Sequence, residues 1–153
     1  MNVVFLSPHF PEHYTAFCRQ LKAAGATVLG IADAPYDALG PAAREALTEY
    51  YRVDDMNDYD RLLRALGHFT HRYGRIDRVE SLNEYWLATE ARLRDDFNVE
   101  GIRGHQIDAI RRKSEMKKRF RQAGVAVAPG RVVHDLAEAR DFISETGYPV
   151  VAK

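Results

Sequence analysis

What most constrains this chain is a regular switch between two hydrophobic periods. Short runs rich in β-branched and aromatic residues at 3–6, 27–31, 50–53 and 78–82 are bounded by turn residues and read as strands. Between them the period becomes that of a helix. Tyr14, Phe17, Cys18 and Leu21 stand at i, i+3, i+4 and i+7 before Ala24-Gly25, and Tyr59, Leu62, Leu63, Leu66 and Tyr73 repeat the pattern before Gly74. A shorter helix opened by Pro41 covers 42–47, and Trp86, Leu93 and Phe97 share one face of a helix that follows Glu84. Apolar strands separated by helices pair in parallel through crossover connections, so the alternation predicts a parallel sheet covered by helices, with right-handed crossovers.

Residues 1–100 are therefore expected to form a Rossmann-like α/β unit. Gly101-Ile102-Arg103-Gly104, with two glycines in four residues, is the expected linker. Beyond it the sequence predicts a helical stretch at 105–123, a strand near 131–133, a helix over 136–146 and a strand at 149–153. The 136–146 helix carries a capping box, Asp135 with Glu138, and a stop at Gly147 followed by Pro149. Residues 105–153 thus read as an incomplete α+β unit. Domains usually finish with an exposed tail or a docked helix. An ending inside an apolar strand leads to the expectation of a first part of a longer protein.

Composition removes several functional classes. Lys and Arg number 22 and Asp and Glu number 22, for a net charge of zero, which argues against a protein devoted to nucleic acid or an anionic membrane. A single cysteine, Cys18, rules out an internal disulfide framework and fits a reducing compartment. No apolar run approaches the roughly 18–20 residues of a membrane helix, and Met1-Asn2-Val3-Val4-Phe5-Leu6 lacks the basic start of a signal peptide. Cytoplasm is the expected location. Tyrosines such as Tyr50 and Tyr51 permit a homodimer without requiring one.

Open α/β sheets bind ligands at the carboxyl ends of their strands. After the first strand the loop is Ser7-Pro8-His9-Phe10-Pro11-Glu12-His13, which has no glycine, so the fingerprint of a dinucleotide-binding loop is missing. After the fourth comes Ser81-Leu82-Asn83-Glu84, where Asn83 suits a helix cap, Glu84 suits the positive end of the helix, and both suit substrate contact. His9 is a substrate-side candidate in the first loop. His68 and His71 are spaced for a shared metal but lack a third ligand on their face, so a packing or solvated role is the expectation. Cys18 reads as a small core residue, and Asp54-Asp55-Met56-Asn57-Asp58 as an acidic helix start. No metal site is expected within the chain.

Charge is uneven along the sequence. Arg111, Arg112, Lys113, Lys117, Lys118, Arg119 and Arg121 crowd one helical stretch, offset only by Asp108 and Glu115. Only one aromatic residue, Phe120, stands among them, which weakens a nucleic-acid reading and leaves a solvated face or an anion site. Lys113 leads a helix that ends in Ala123-Gly124-Val125. About two dozen residues later comes Gly147-Tyr148-Pro149-Val150-Val151-Ala152-Lys153.

That arrangement resembles the opening of the ATP-grasp fold, as in biotin carboxylases and carbamoyl-phosphate synthetases, and the resemblance extends upstream to the Rossmann-like pre-ATP-grasp domain. The stretch from Ser81 to Ala88, followed by Arg92-Leu93-Arg94-Asp95-Asp96-Phe97, looks like the biotin-carboxylase-like carboxylate–amine ligases. The resemblance implies that Lys113 and Lys153 contact ATP phosphates, compact ammonium groups being suited to such charge. It also implies ATP and Mg²⁺ as cofactors, a carboxylate activated as an acyl phosphate, and an amine or other nucleophile as acceptor. His9, Asn83 and Glu84 then face the substrate. The glycine-rich phosphate-covering loop, the adenine hinge and the acidic Mg²⁺ ligands of the family do not occur in these residues, so the segment alone is expected to be inactive. A second reading is a stand-alone Rossmann-like domain that binds a small ligand without catalysis.

Overall fold

The computed structural model describes residues 1–152. The chain divides into two compact units, Met1–Ile107 and Asp108–Lys153.

In the first unit, four strands alternate with helices in the expected order. Strand β1 (Asn2–Leu6) is followed by α1 (Tyr14–Ala23), β2 (Thr27–Ala32), a short 3-10 turn (Tyr36–Ala38) and α2 (Pro41–Ala46). Then come β3 (Glu49–Arg52), α3 (Tyr59–Tyr73), β4 (Arg78–Glu80), a second 3-10 turn (Glu84–Trp86) and α4 (Leu87–Asp96). All pairings are parallel and the strand order is β3-β2-β1-β4. The chain runs outward from β1 to β3 and then returns to the other side of β1, so the order reverses between β1 and β4. At such a switch point the loops leaving neighbouring strands diverge and open a crevice.

Side-chain alternation along the strands divides the core in two. Val3, Phe5 and Val28 join Tyr14 and Cys18 of α1 with Ala43 and Ala46 of α2. Val4, Leu6, Leu29 and Ile31 face the opposite way, onto Leu62, Ala65, Leu66 and Phe69 of α3 and Leu93 of α4. Trp86, in the 3-10 turn before α4, and Phe97, just past its end, pack half-buried against the same layer as Leu93. Asp58 caps α3 by accepting from the backbone amides of Asp60 and Arg61, which ties the acidic run to the helix start. Gly30 in β2 serves packing: a Cβ there would stand 2.9 Å from Leu47 Cδ1 and 3.1 Å from Pro8 Cγ, so its bare backbone lets the β1 exit loop and α2's end close onto the sheet.

Strand β4 is shorter than its apolar run because Leu82 adopts a left-handed backbone, φ 59°, which ends the extended conformation after Glu80. The 105–123 stretch is two helices. Helix α5 (Gly104–Arg111) and α6 (Lys113–Gln122) are separated by Arg112, whose extended backbone at ψ 111° breaks the helical ladder.

The second unit contains α6 and α7 (Leu136–Thr146) but, among the described residues, no strand. The expected strands at 131–133 and 149–152 are unpaired segments, and Lys153 lies outside the described residues. An apolar extended run becomes a strand only when a neighbour completes its ladder, and neither segment has one among the described residues. No described residue from 108 to 152 is buried, and Val151 is 90% exposed. The α7 cap forms as the sequence indicates: Asp135 accepts from the Glu138 amide at 2.8 Å, and the Glu138 carboxylate reaches back to the His134 amide at 2.9 Å.

Candidate functional site

Both strands beside the switch point leave the sheet through a left-handed residue. Ser7, φ 54°, turns the chain out of β1 while its amide still donates to Ile31 O at 2.8 Å. Leu82 does the same after β4. Non-glycine residues adopt this conformation at a steric cost, and here neighbouring hydrogen bonds hold them in it. The Ser81 hydroxyl, fully buried, accepts from the Asn83 amide at 3.1 Å. The Asn83 side chain accepts from the Tyr85 amide at 2.9 Å, so Asn83 is the cap of the 3-10 turn.

Two tyrosines join the exit loops to one another. The Tyr14 hydroxyl donates to Leu82 O at 2.7 Å, tying the start of α1 to the β4 exit. The Tyr85 hydroxyl donates to Asn57 Oδ1 at 2.7 Å, tying the β4 exit to the loop after β3. Arg61, in the first turn of α3, bridges Asp54 at 2.6 Å and Asp58 at 2.9 Å of that loop, and Asp55 accepts from the Asn57 amide at 2.8 Å. The acidic run is thus largely engaged by its own helix start. Glu84 is exposed and forms no ion pair among the described residues.

His9 is half-buried and lines a different recess. With Glu12, Thr15 and Arg19 on one side and Ala38, Gly40, Ala42 and Ala43 on the other, it borders an open groove of about 450 Å³ between α1 and α2. Its Nδ1 is buried without a hydrogen-bond partner. No hydrogen bond links His9 to Asn83 or Glu84 among the described residues, so the three substrate-side candidates fall into two places: Asn83 and Glu84 on the β4 exit, His9 in the groove.

A buried charged network beneath the β4 exit escapes a reading from periodicity. Glu90 and Arg94, one helical turn apart on α4, are 2% and 3% exposed. Arg94 Nη2 lies 2.9 Å from Glu90 Oε2, 2.5 Å from Val79 O and 3.1 Å from Glu80 Oε2, while Nη1 donates to Ile102 O at 3.3 Å. Burial pushes the Glu90 carboxyl above its ordinary value, against the pull of the Ser81 hydroxyl and the Arg94 guanidinium. The only trace of it in the sequence is a Glu and an Arg four apart beside apolar Ala91 and Leu93, a pattern that surface helices share.

Other titratable groups have structural partners. His68 Nε2 sits 2.6 Å from Glu49 Oε1, and Tyr73 and Arg72 hold the second Glu49 oxygen at 2.6 and 3.0 Å. Burial alone would raise Glu49, but the hydrogen bonds from Tyr73 and His68 and the Arg72 charge outweigh it and hold the carboxyl below its ordinary range. Cys18 is buried in the α1 layer, and burial pushes its thiol up to about 12. Among the described residues no group of three His, Cys, Asp or Glu side chains is placed to hold a metal ion. No helix there is long and apolar enough to cross a membrane.

In the second unit, Lys113 is the first residue of α6, exposed and without an ion pair among the described residues. Its basic neighbours are partly engaged. Lys117 Nζ donates to Ala128 O at 3.0 Å and Pro129 O at 3.2 Å, Lys118 pairs with Glu115 at 2.6 Å, and Arg112 pairs with Asp108 at 3.2 Å.

No family model and no curated protein matches the chain. Solved structures do. An L-amino acid ligase from Bacillus licheniformis superposes with a TM-score of 0.67 at 17% identity, over 90% of this chain and 34% of that one. Phosphoribosylglycinamide synthetase from Anaerococcus prevotii gives 0.69 at 14% identity, over 97% and 35%. The biotin carboxylase domain dimer of the Hydrogenobacter thermophilus 2-oxoglutarate carboxylase, in complex with MgADP, ADP and bicarbonate, gives 0.66 at 19% identity, over 96% and 33%. The chain therefore spans about a third of the length of the structures it matches. Its α/β fold with a β3-β2-β1-β4 parallel sheet is the one found in the N-terminal domains of these ATP-grasp ligases.

Proposed function

We propose that the chain is the N-terminal part of an ATP-dependent carboxylate–amine, or related, ligase that works through an acyl-phosphate intermediate. One observation carries the reading: three ligases of different substrates share this fold over nine-tenths or more of the chain. In this reading the first unit is the pre-ATP-grasp domain and the second begins the ATP-binding domain. Lys113 and Lys153 hold ATP phosphates, where positive charge offsets the charge that gathers as the γ-phosphoryl group moves. Lys113 fits that role because its ammonium is exposed and unpaired among the described residues. When bound, ATP would supply the phosphoryl group and Mg²⁺ would offset its charge.

The β4 exit is the substrate side. Asn83 and Glu84 stand on the β4 exit, next to the point where the strand order reverses, and the exposed Glu84 carboxylate suits an amine-bearing acceptor. His9, the third candidate, lies apart from them in the groove between α1 and α2. The segment by itself lacks the parts needed to turn over. The test is a full-length protein assayed for ADP formation with ATP, Mg²⁺ and a panel of L-amino acids and other carboxylates. Turnover that falls at least tenfold in Lys113→Ala and Lys153→Ala supports the reading. Absence of nucleotide binding in the full-length protein, with both variants indistinguishable from it, refutes it.

A further inference from the structure

We infer that Arg94 is a positioning residue for the β4 exit loop, setting through Val79, Glu80 and Ser81 the placement of the Asn83 and Glu84 side chains toward substrate. It rests on the substrate-side reading given above for the role of that loop, but the grip itself stands on geometry. Arg94 Nη2 holds the Val79 carbonyl at 2.5 Å and the Glu80 carboxylate at 3.1 Å, the last two residues before the loop begins. Ser81 follows directly, fully buried, and its hydroxyl sets the Asn83 amide. The guanidinium is 3% exposed, and Glu90, which pairs with it at 2.9 Å, is 2% exposed. Buried charges held this way have few alternative positions, so they transmit their geometry to whatever they bind.

The same side chain is fitted from its other side. A Cβ on Gly101 would stand 2.9 Å from Arg94 Nε, and Gly101 has φ +137°, a conformation other residues rarely adopt. Arg94 Nη1 donates to the next carbonyl, Ile102 O, at 3.3 Å. Arg103 in turn donates to Arg94 O at 2.6 Å, and Asp95 accepts from the Gly104 amide at 2.9 Å. Arg94 is therefore the common partner of the β4 exit and of the 101–102 turn. Surface packing does not need a guanidinium here; the fork geometry does, because a single ammonium cannot reach both carbonyls and two carboxylates.

Two variants keep the fold testable. Arg94→Lys retains the charge and removes the fork, and Glu80→Gln, at a side chain 38% exposed, weakens only the link to the β4 exit. By hydrogen exchange on the whole protein, both should lose roughly tenfold or more protection at the Asn83, Tyr85 and Trp86 amides, with the amides of β1 and β2 unchanged. In the full-length protein, KM for the carboxylate or amine substrate that the wild type uses should rise by about tenfold while KM for ATP moves less than about twofold. Exchange that rises uniformly across the sheet, or KM values for both substrates rising in parallel with a lower melting temperature, would mean a purely structural residue and overturn the inference. So would a wild-type-like exchange pattern at 83–86. A local exchange change with no effect on the KM for that substrate would overturn the substrate role of the positioning. If the wild type turns over no carboxylate of the panel, the ligase reading fails, while the exchange measurement still decides whether Arg94 governs the loop.

Discussion

The Tyr14 hydroxyl donates to the Leu82 carbonyl at 2.7 Å and so fastens the first helix to the exit of the fourth strand, 68 residues away. The two strands that flank the switch point, β1 and β4, are thereby joined beyond their ladder. Leu82 holds a left-handed backbone that this bond helps to stabilise. Tyr14→Phe keeps the ring packed near Phe5, whose centroid is 6.0 Å away, and removes only the bond. The variant should lose about 1 kcal/mol in urea unfolding, read as a lower midpoint at unchanged slope. No change in midpoint would show that water replaces the tyrosine without cost.

Gly30 tests close packing against chain entropy. On the strand, alanine would ordinarily be tolerated or mildly favourable. Here its Cβ meets Leu47 Cδ1 at 2.9 Å and Pro8 Cγ at 3.1 Å. Gly30→Ala should therefore destabilise by about 1–3 kcal/mol, the range for overpacking a filled core. A thermal melt of the variant at or above the wild-type temperature would contradict the packing account.

Glu49 makes stability depend on acid. Its folded carboxyl is held below the unfolded value by Tyr73, His68 and Arg72. The stability it contributes is present above the unfolded pKa of about 4.3 and is lost as pH falls through the folded one. Glu49→Gln should weaken the protein at neutral pH, with the gap to wild type closing as pH falls below about 4. Urea melts across that range provide the measurement, and a gap that stays constant would assign the loss to packing alone.

Cys18 reports opening of the α1 layer. With the thiol pushed up to about 12 and buried, on the order of one in ten thousand molecules carries the thiolate at pH 8. Iodoacetamide should therefore leave the native protein unlabelled over hours and label it within minutes in strong denaturant. Rapid native labelling would show that α1 opens locally without global unfolding.

Much of the architecture could be read from the residues because it is encoded locally. The change from a period of two to one of 3.6 marks β1, α1, β2, α3 and α7 near their observed limits, and side chains such as Asp58 and Asp135 announce helix starts with their own chemistry. Lys113 likewise stands at a helix start, as its position in the sequence indicates. Asn83 was readable as a cap for the same reason. His9 was not readable as a groove residue, because the other wall of that groove comes from α2, which follows it by some thirty positions.

What only the tertiary structure decided are relations between distant positions. The strand order β3-β2-β1-β4 depends on which edge of β1 receives β4, and no single segment carries that information. Glu90 and Arg94 look like an ordinary surface pair until folding places them under the β4 exit and removes water from both. The apolar runs at 131–133 and 149–152 are the converse case: their composition favours strands, but a strand exists only as one side of a ladder, and hydrophobic patterning supplies a preference without supplying the neighbour.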